Sequence, residues 1–350
     1  MSLDGVDALL AAPVSALTAR DAERIAVRHW GLAAEAQPLT SERDQNFLLR
    51  GAEGRSHLLK IANAREDAAV TDFQTRALLH VAEADPELPV PRVCRSVHGE
   101  AVVEIEHDGT RHRVRVLSFL AGSPLRRTPR TAPQREHLGA AAARLGRALR
   151  GFAHEADNHE LLWDLTRASK LRALLPAVAD QERRALAGAR LDVFDEHVVP
   201  RMAGLRRQVI HNDLNPHNVL VDASDPDRIA GVIDFGDMVR APLINDVAIA
   251  CAYQLGEDDP LAPVCDLLRG YTRIEPLEGR ELDLLFDLIG ARLAMTALIT
   301  GWRAARNPDN AAYILRHAPA AWDGLARLAA IPRRQAQSLF RRACPEEAAA

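Results

Sequence analysis

The stretch that decides the fold runs Val209-Ile-His-Asn-Asp-Leu-Asn-Pro-His-Asn-Val-Leu-Val221. An apolar strand end leads into a polar turn, and a second apolar strand follows. The turn presents His211, Asp213 and Asn218 in the order H-x-D-x-x-x-x-N. Phosphoryl transfer needs a carboxylate that orients the attacking hydroxyl and takes its proton, and an Asn that helps to hold Mg²⁺ against nucleotide phosphates. The turn therefore predicts a phosphoryl-transfer site, with Asp213 as the base and His211 beside it in the catalytic set.

A second motif follows the next apolar strand, which we predict over residues 229–233. That strand leads into Asp234-Phe-Gly-Asp237, and Asp234 lies sixteen residues after Asn218. Asp and Asn are common in turns, because their side chains bond to the nearby backbone, so either motif alone carries little weight. The two motifs together, in this order and each at the end of an apolar strand, predict that Asn218 and Asp234 bind Mg²⁺ beside Asp213.

These motifs resemble those of the aminoglycoside phosphotransferase and choline kinase superfamily, a small-molecule branch of the protein-kinase-like fold. Three further strings narrow the resemblance to the hydroxylysine kinase family and related bacterial phosphotransferase domains: Ser41-Glu-Arg-Asp-Gln-Asn46, Leu117-Ser-Phe-Leu-Ala-Gly122 and Ile233-Asp-Phe-Gly-Asp-Met238. The resemblance covers roughly residues 15–330. It implies a bilobal α+β fold, with a small N-terminal lobe over 1–120, built on an antiparallel sheet with a leading helix, and a larger, mostly helical lobe over 121–350.

Local signals outline both lobes. Thr18 opens an amphipathic helix that Gly31 ends, residues 45–50 and 56–61 form a hairpin, and Asp108-Gly109 is the turn between two further strands. A helix over 65–84 and strands over 101–106 and 112–119 complete the first lobe. Helices of the second lobe are predicted over residues 133–153, 168–175, 180–204, 243–255, 261–273, 278–302 and 309–328.

Lys60 stands out because the chain contains very few lysines. Only two of the 44 basic residues are Lys, at positions 60 and 170, and the others are Arg. A Lys at the end of a strand in such a chain indicates a site that requires a compact ammonium rather than a planar guanidinium. The resemblance implies that Lys60 binds the α- and β-phosphates of ATP or GTP and is oriented by a carboxylate from the next helix. Gln74 best matches that place, with Asp72 and Glu66 as alternatives.

The resemblance also implies two backbone contacts with the nucleotide. The polar turn from Ser41 to Asn46 stands where a protein kinase has a Gly-rich loop. Its amides, with the Ser41 and Asn46 side chains, are expected to reach phosphate. Leu117 to Leu120 is the expected hinge between the lobes, where Ser118 and Leu120 contact the purine.

Composition excludes several classes of protein. The chain has 350 residues, of which 47% are hydrophobic, and this is enough for two lobes with a sizeable core. A net charge of −4 argues against a nucleic-acid-binding protein, which carries a basic footprint. The four cysteines show no C-x-x-C spacing, which is typical of a reducing cytoplasm. We predict no signal peptide, since Asp4, Asp7 and Pro13 interrupt the N-terminal apolar run, and no membrane span.

The acceptor is predicted to be a small molecule. Only eleven residues separate Asp234 from Asp246, so there is no room for the long activation loop of protein kinases. Asp246 is expected to brace the catalytic turn. An ammonium on the acceptor requires a carboxylate or an aromatic face, and a carboxylate on it requires an Arg fork. The candidates for these contacts are Asp237, Trp163, Asp164, Trp302, Arg292 and Arg303.

The motifs thus predict a Mg²⁺-dependent kinase that uses ATP or GTP, and the resemblance implies that its acceptor is an amino alcohol or a hydroxy-amino acid of the hydroxylysine type. Homoserine, choline, ethanolamine and aminoglycosides remain alternative acceptors. A non-catalytic nucleotide-binding module is disfavoured, because Asp213, Asn218 and Asp234 are all present. A PLP-dependent phospholyase or aminotransferase is the expected functional partner, since some domains that the chain resembles are fused to such an enzyme.

Overall fold

The computed structural model describes residues 17–41, 44–52 and 54–344. Glu42 and Arg43 of the polar turn, and both ends of the chain, lie outside the described residues. The first described element is helix α1 (Ala19–Trp30), where Thr18 and Asp21 form a reciprocal capping box and Gly31 ends the helix with φ 65°. The predicted start and end of this helix are therefore confirmed.

The N-terminal lobe is an antiparallel sheet with helix α2 (Ala68–Ala84). Its strand order is β1-β2-β3-β6-β4, and β5 pairs with β6. Asp108 and Gly109 both have positive φ in the tight turn between β5 and β6, as the two central residues of a type I′ hairpin turn require. The strands are β1 (Ala34–Leu39), β2 (Gln45–Gly51), β3 (Ser56–Ile61), β4 (Val93–Cys94), β5 (Val103–His107) and β6 (Thr110–Ser118).

A separate apolar core holds α1 against this sheet. Strand residues alternate between the two faces, and one face packs against the apolar stripe of α1. The shared core consists of Ala22, Ala26 and Trp30 of the helix with Phe47, Leu49, Leu59, Ile61, Val114 and Val116 of the strands.

Helices form most of the C-terminal lobe. Helix α7 lies at its centre and is buried along almost its whole length. The helices are α3 (Ala132–Ala148), α4 (Gln181–Val193), α5 (Leu243–Ala252), α6 (Ala262–Thr272), α7 (Gly279–Arg306), α8 (Ala311–Ile314), α9 (Ala318–Ala329) and α10 (Arg333–Ala343). None of the described helices is both long enough and apolar enough to cross a membrane.

Prolines explain three departures from the predicted helices. The segment predicted over 168–175 is a 3₁₀ helix, Leu165–Ala177, which contains Pro176. The helix predicted over 180–204 ends at Val193 and continues as a π turn and a 3₁₀ turn, because Pro200 removes a donor and clashes with the preceding turn. Pro319 likewise follows the break between α8 and α9. Helix α10 was not predicted.

Five short strands position the two motifs between the lobes. Strand β8 (Arg207–Ile210) pairs with β11 (Val239–Pro242). Strand β9 (Val219–Val221) lies between β7 (Ser123–Pro124) and β10 (Ile229–Val232). The catalytic turn therefore joins β8 to β9, while the Asp234 motif joins β10 to β11, so both motifs lie at the same end of this small framework.

Candidate active site

Helix α5 supports the catalytic turn through the side chain of Asp246. Asp246, in the first turn of α5, accepts the backbone N–H of His211 at 2.9 Å and that of Asn212 at 2.6 Å. Asn212 is completely buried and has φ 65°, a conformation that costs a non-Gly residue roughly 1–2 kcal/mol. The two bonds to one carboxylate hold this strained residue directly before Asp213. The predicted bracing role of Asp246 is confirmed.

His211 is a positioning residue in this structure. Its side chain is fully buried, and its Nδ1 accepts the backbone N–H of Asp213 at 3.2 Å. Its Nε2 lies 3.1 Å from the carbonyl oxygen of Ile233, so Nε2 carries the proton and donates it there. Burial lowers the pKa of His211 and keeps the ring neutral. The ring thus ties the catalytic turn to the strand that precedes Asp234.

Asp213 accepts hydrogen bonds on both carboxylate oxygens. Oδ2 accepts the amide N–H groups of Asn215 at 2.8 Å and Asn218 at 2.7 Å, and Oδ1 accepts Nη2 of Arg292 at 3.0 Å. Burial raises the pKa of Asp213 to about 6, against the opposing effect of the Arg292 charge. A raised pKa makes the Asp213 carboxylate a better acceptor for the proton of a hydroxyl group.

Asn218 and Asp234 present oxygen donors that fit Mg²⁺. The side-chain amide nitrogen of Asn218 donates to Asp213, at both its carbonyl oxygen (3.1 Å) and Oδ2, which leaves the amide oxygen for a cation. Asp234 is exposed in the cleft and has φ 64°. Within the described ranges, no three His, Cys, Asp or Glu side chains form a metal cluster. This donor set fits Mg²⁺, which usually binds one or two protein ligands together with phosphates and water.

A cavity of about 190 Å³ lies between the lobes and contains these groups. Lys60 lies near the end of β3, as predicted, is 9% exposed and lines this cavity; its contact with phosphates stays a prediction. Its Nζ lies 3.4 Å from a carboxylate oxygen of Asp44. The N-terminal lobe lines the cavity with Thr40, Ser41, Asp44, Asn46, Lys60, Glu66 and Gln74.

The ion pair with Asp44 departs from the prediction that the helix after β3 supplies the partner of Lys60, through Gln74 or, as alternatives, Asp72 and Glu66. Glu66 lines the same cavity as Lys60, whereas Gln74 and Asp72 have other partners. Gln74 accepts a hydrogen bond from Arg115 at 2.5 Å and donates one to the carbonyl oxygen of Gly236 at 3.2 Å. Arg115 lies next to Lys60 on the adjacent strand and so takes the amide oxygen. Asp72 pairs with Arg76 at 2.7 Å. The carboxylate shown with Lys60 comes instead from the polar turn.

The expected hinge residues lie outside the lining of this cavity. Ser118 ends β6, and its Oγ accepts the backbone N–H of Arg92 at 2.8 Å. The Leu120 side chain packs against Gly231 of β10. Neither Ser118 nor Leu120 is among the described residues that line the cavity, so their contact with a purine stays a prediction.

Four of the six predicted acceptor contacts reach the cavity: Trp163, Asp237, Arg292 and Arg303. The other two do not. Asp164 caps the 3₁₀ helix by accepting the backbone N–H of Thr166 at 2.9 Å, because a buried helix start needs an acceptor there. The Trp302 ring is buried in the core, on another side of α7.

Sequence reasoning missed several cavity residues. The side chains of Asn215 and His217 belong to the quoted catalytic stretch and line the cavity beside Asn218. The helical spacing from Arg292 through Thr296 and Thr300 to Arg303 would have revealed one face of α7. No local signal marks the others. The missed lining residues of the C-terminal lobe are Asn215, His217, Tyr253, Thr296, Thr300, Tyr313, Ile314, Arg316 and His317.

Comparisons with known proteins identify the family of the chain. A model of the phosphotransferase enzyme family matches residues 35–285. Hydroxylysine kinase of Mus musculus is 26% identical over 319 residues, which is 84% of each chain. Homoserine kinase of Brucella anthropi is 29% identical over 251 residues, covering 69% of this chain and 71% of that protein.

A solved structure shows the same fold. Amicoumacin kinase hAmiN, in complex with AMP-PNP, Ca²⁺ and Ami, has a TM-score of 0.66 and 16% sequence identity, covering 92% of this chain and 96% of that chain. The predicted bilobal α+β fold of the kinase type is confirmed. The chain therefore belongs to the phosphotransferase enzyme family, and it is a small-molecule kinase that acts on a hydroxyl acceptor.

Proposed function

We propose that this protein transfers the γ-phosphoryl group of ATP or GTP to a hydroxyl of a hydroxy-amino acid or amino alcohol of the hydroxylysine type. One observation carries the proposal. Asp213 and Asn218 of the catalytic turn, Asp234 of the second motif and Lys60 of β3 all line one cavity between the two lobes. Together they are the base, the metal ligands and the phosphate-binding cation that phosphoryl transfer needs.

We assign each residue a role that its position in the cavity supports. Asp213 accepts the proton of the attacking hydroxyl as the new O–P bond forms, and the bond between the γ-phosphorus and its bridging oxygen breaks. Lys60 binds the α- and β-phosphates as a point charge. Asn218 and Asp234 would hold Mg²⁺, which neutralises charge that develops on the phosphates. The buried contacts of Asp246 and His211 fix Asp213 in place.

The size of the cavity favours a compact acceptor. About 190 Å³ is below the roughly 300–1,000 Å³ of sites for drug-sized ligands. Arg292, Arg303 and Arg316 line the cavity together with Asp213, Asp234 and Asp237, so its lining carries charges of both signs. A phosphorylated hydroxy-amino acid is also suited to elimination by a PLP-dependent phospholyase, because PLP serves as an electron sink. We therefore propose such an enzyme as the functional partner.

The test is an acceptor screen with purified protein, Mg²⁺ and either ATP or GTP. The candidates are 5-hydroxylysine, homoserine, ethanolamine, choline and an aminoglycoside, with release of nucleoside diphosphate and the mass of the product as readouts. Asp213→Asn is the control and should lower turnover about 10²–10⁴-fold while nucleotide still binds. Acceptor-independent diphosphate release at the same rate in both proteins would refute the proposal. Tight nucleotide binding without any turnover would favour a non-catalytic module.

A further inference from the structure

Two hydrogen bonds join the N-terminal sheet to the second motif through Gln74 of α2. Arg115 of β6 donates from Nη2 to Oε1 of Gln74 at 2.5 Å. Nε2 of Gln74 in turn donates to the backbone carbonyl oxygen of Gly236 at 3.2 Å. Both side chains are buried, and Gly236 lies two residues after Asp234. This link therefore ends beside the residue that we propose as a metal ligand.

The link requires an amide at position 74. A side-chain amide carries one accepting oxygen and one donating nitrogen, whereas a guanidinium only donates. Because Arg115 takes the oxygen of Gln74, the nitrogen is turned toward Gly236. A glutamate could still accept from Arg115, but it would place a carboxylate oxygen against the Gly236 carbonyl oxygen with no proton between them. The glutamine thus suits a link to the second motif better than it suits a partner for Lys60.

The backbone around Asp234 is fixed on both sides. Asp234 has φ 64°, a left-handed conformation that is strained for a residue other than glycine. Before it, the carbonyl oxygen of Ile233 accepts Nε2–H of His211 at 3.1 Å. After it, the N–H of Gly236 donates to Oδ1 of Asp234 at 3.3 Å, and its carbonyl oxygen accepts Gln74. The C-terminal lobe thus holds one side of Asp234, and helix α2 of the N-terminal lobe holds the other.

The residues that precede Gln74 on α2 also contact the C-terminal lobe. The Phe73 ring stacks on that of Phe152, with ring centres 6.0 Å apart and planes 9° apart. Oδ2 of Asp72 lies 3.2 Å from Nε2 of His154. These contacts hold α2 against the C-terminal lobe at the level of Gln74, so the amide stays within reach of the second motif.

Arg115 itself takes no part in the lining of the cavity. It lies opposite Lys60 in the register of β3 and β6, and Nη1 donates to the hydroxyl of Thr75 at 3.2 Å. Among the described residues that line the cavity, Gln74 is present and Arg115 is not. Arg115 therefore reaches the site through the Gln74 side chain.

We propose that Gln74 is a positioning residue whose amide, oriented by Arg115, holds the Gly236 backbone and thereby sets Asp234 where it would bind Mg²⁺. This deepens the proposed function and rests on it, since that function gives Asp234 its metal-binding role. Because the link runs from one lobe to the other, the place of Asp234 depends on the position of α2. Metal-assisted binding of nucleotide is thereby coupled to the contact between the lobes.

Nucleotide affinity with and without Mg²⁺ tests this inference. A non-hydrolysable ATP analogue is titrated calorimetrically into the wild type and Gln74→Met, once in excess Mg²⁺ and once in EDTA. Gln74→Met should lower the Mg²⁺-dependent gain in affinity about three- to tenfold, the factor that one neutral hydrogen bond contributes, and should change affinity in EDTA by less than about twofold. Equal losses in both conditions would show that Gln74 binds phosphate itself and would overturn the positioning role.

Hydrogen exchange gives a second readout that needs neither metal nor nucleotide. The amides of residues 233–238 should exchange faster in Gln74→Met than in the wild type, because Gly236 loses its tether. Gln134→Met is the matched control: Gln134 is buried and its amide donates to the carbonyl oxygen of Pro226 at 2.8 Å, away from the residues that line the cavity. This control should leave both the exchange and the Mg²⁺-dependent gain unchanged. Identical behaviour of the two variants would overturn the inference.

Two further changes separate the link from other roles of the same residues. Gln74→Glu keeps an acceptor for Arg115 and removes only the donor to Gly236, so it should fold and lose the same Mg²⁺-dependent gain. An unchanged or larger gain would show that position 74 serves Lys60 instead. Arg115→Met should also lower the gain, and the double variant with Gln74→Met should lose no more than Gln74→Met alone. Additive losses would contradict the orienting role of Arg115. If the wild type binds no nucleotide, the proposed function itself fails.

Discussion

Asp246→Asn is the most informative single substitution in the framework of the site. The Asp246 carboxylate accepts two backbone N–H groups, from His211 and Asn212, and all three residues are buried. An amide has one oxygen, so at least one N–H loses its acceptor and faces an NH₂ group instead. The change removes the restraint on Asn212, whose φ of 65° is strained, without altering any group that touches the substrates.

The two hydrogen bonds to Asp246 determine how much stability and activity Asp246→Asn should lose. A hydrogen bond to a charged group contributes about 1.5–3 kcal/mol. Burial raises the pKa of Asp246, so removing its charge recovers part of that loss. We expect the free energy of unfolding to fall by about 1.5–3 kcal/mol. Relaxation of Asn212 displaces Asp213, the next residue, and a misplacement of about 1 Å can cost 10²-fold in rate. We therefore expect kcat to fall about 10²-fold in protein that remains folded.

The assay combines urea unfolding with steady-state kinetics at a temperature where both proteins are folded. Asp266→Asn is the matched control. Asp266 is as buried as Asp246, at 8% exposure, but it lies on α6 and pairs with Arg135 at 3.1 Å. This control should lose a similar amount of stability and keep kcat within about twofold. Equal kcat in the two variants would show that the bonds from Asp246 stabilise the fold without positioning Asp213.

Three other substitutions test separate parts of the structure. Asp234→Ala should abolish the Mg²⁺-dependent gain in nucleotide affinity measured by calorimetry; a full gain in this variant would assign the metal to another carboxylate. Lys60→Arg should lower kcat/KM at least about tenfold, roughly 1.4 kcal/mol, because a longer, planar group displaces phosphate. Lys170→Arg, at an exposed ion pair, should be neutral, and equal activity of the two variants would contradict the role of Lys60. Gly270→Ala should destabilise the protein by about 3 kcal/mol or more, since its Cβ would lie 1.8 Å from a backbone oxygen of α3. Gly301→Ala on α7 meets no atom within 4 Å and should raise the melting temperature; the reverse order would refute the packing argument.

The catalytic half of the site was predictable because its signals are local. Asp213 and Asn218 lie in the turn between β8 and β9, and Asp234 follows strand β10. Strand ends and turn residues can be located in a sequence to within a few positions. The order of the two motifs therefore predicted that Asp213, Asn218 and Asp234 lie close together, and all three line one cavity. The same reasoning placed Lys60 at the end of its strand. Its partner was missed, because Asp44 reaches it from a turn whose direction depends on how β1 and β2 pair.

The failures arose from helix orientation. Trp302 and Arg303 are neighbours in sequence, yet one packs in the core and the other faces the cavity. Helix α7 is buried on nearly every side, so its hydrophobic pattern gives no direction to the site. Asp164 was misread for a different reason. An Asp before a helix start is as well explained by capping as by ligand binding, and the structure shows the cap.

The site has two halves, the catalytic motifs and the wall on the acceptor side, and the choice of substrate depends on the second half. Asp213, Asn218 and Asp234, which we propose as the base and the metal ligands, lie in two local motifs. The acceptor wall is assembled from Trp163, Tyr253, Arg292 and Arg316, which lie on segments far apart in sequence. Arg292 also bonds to Asp213, whereas a change at Tyr253 or Arg316 alters the wall at residues that lie outside both motifs. One fold can therefore keep its phosphoryl-transfer motifs while the wall on the acceptor side changes.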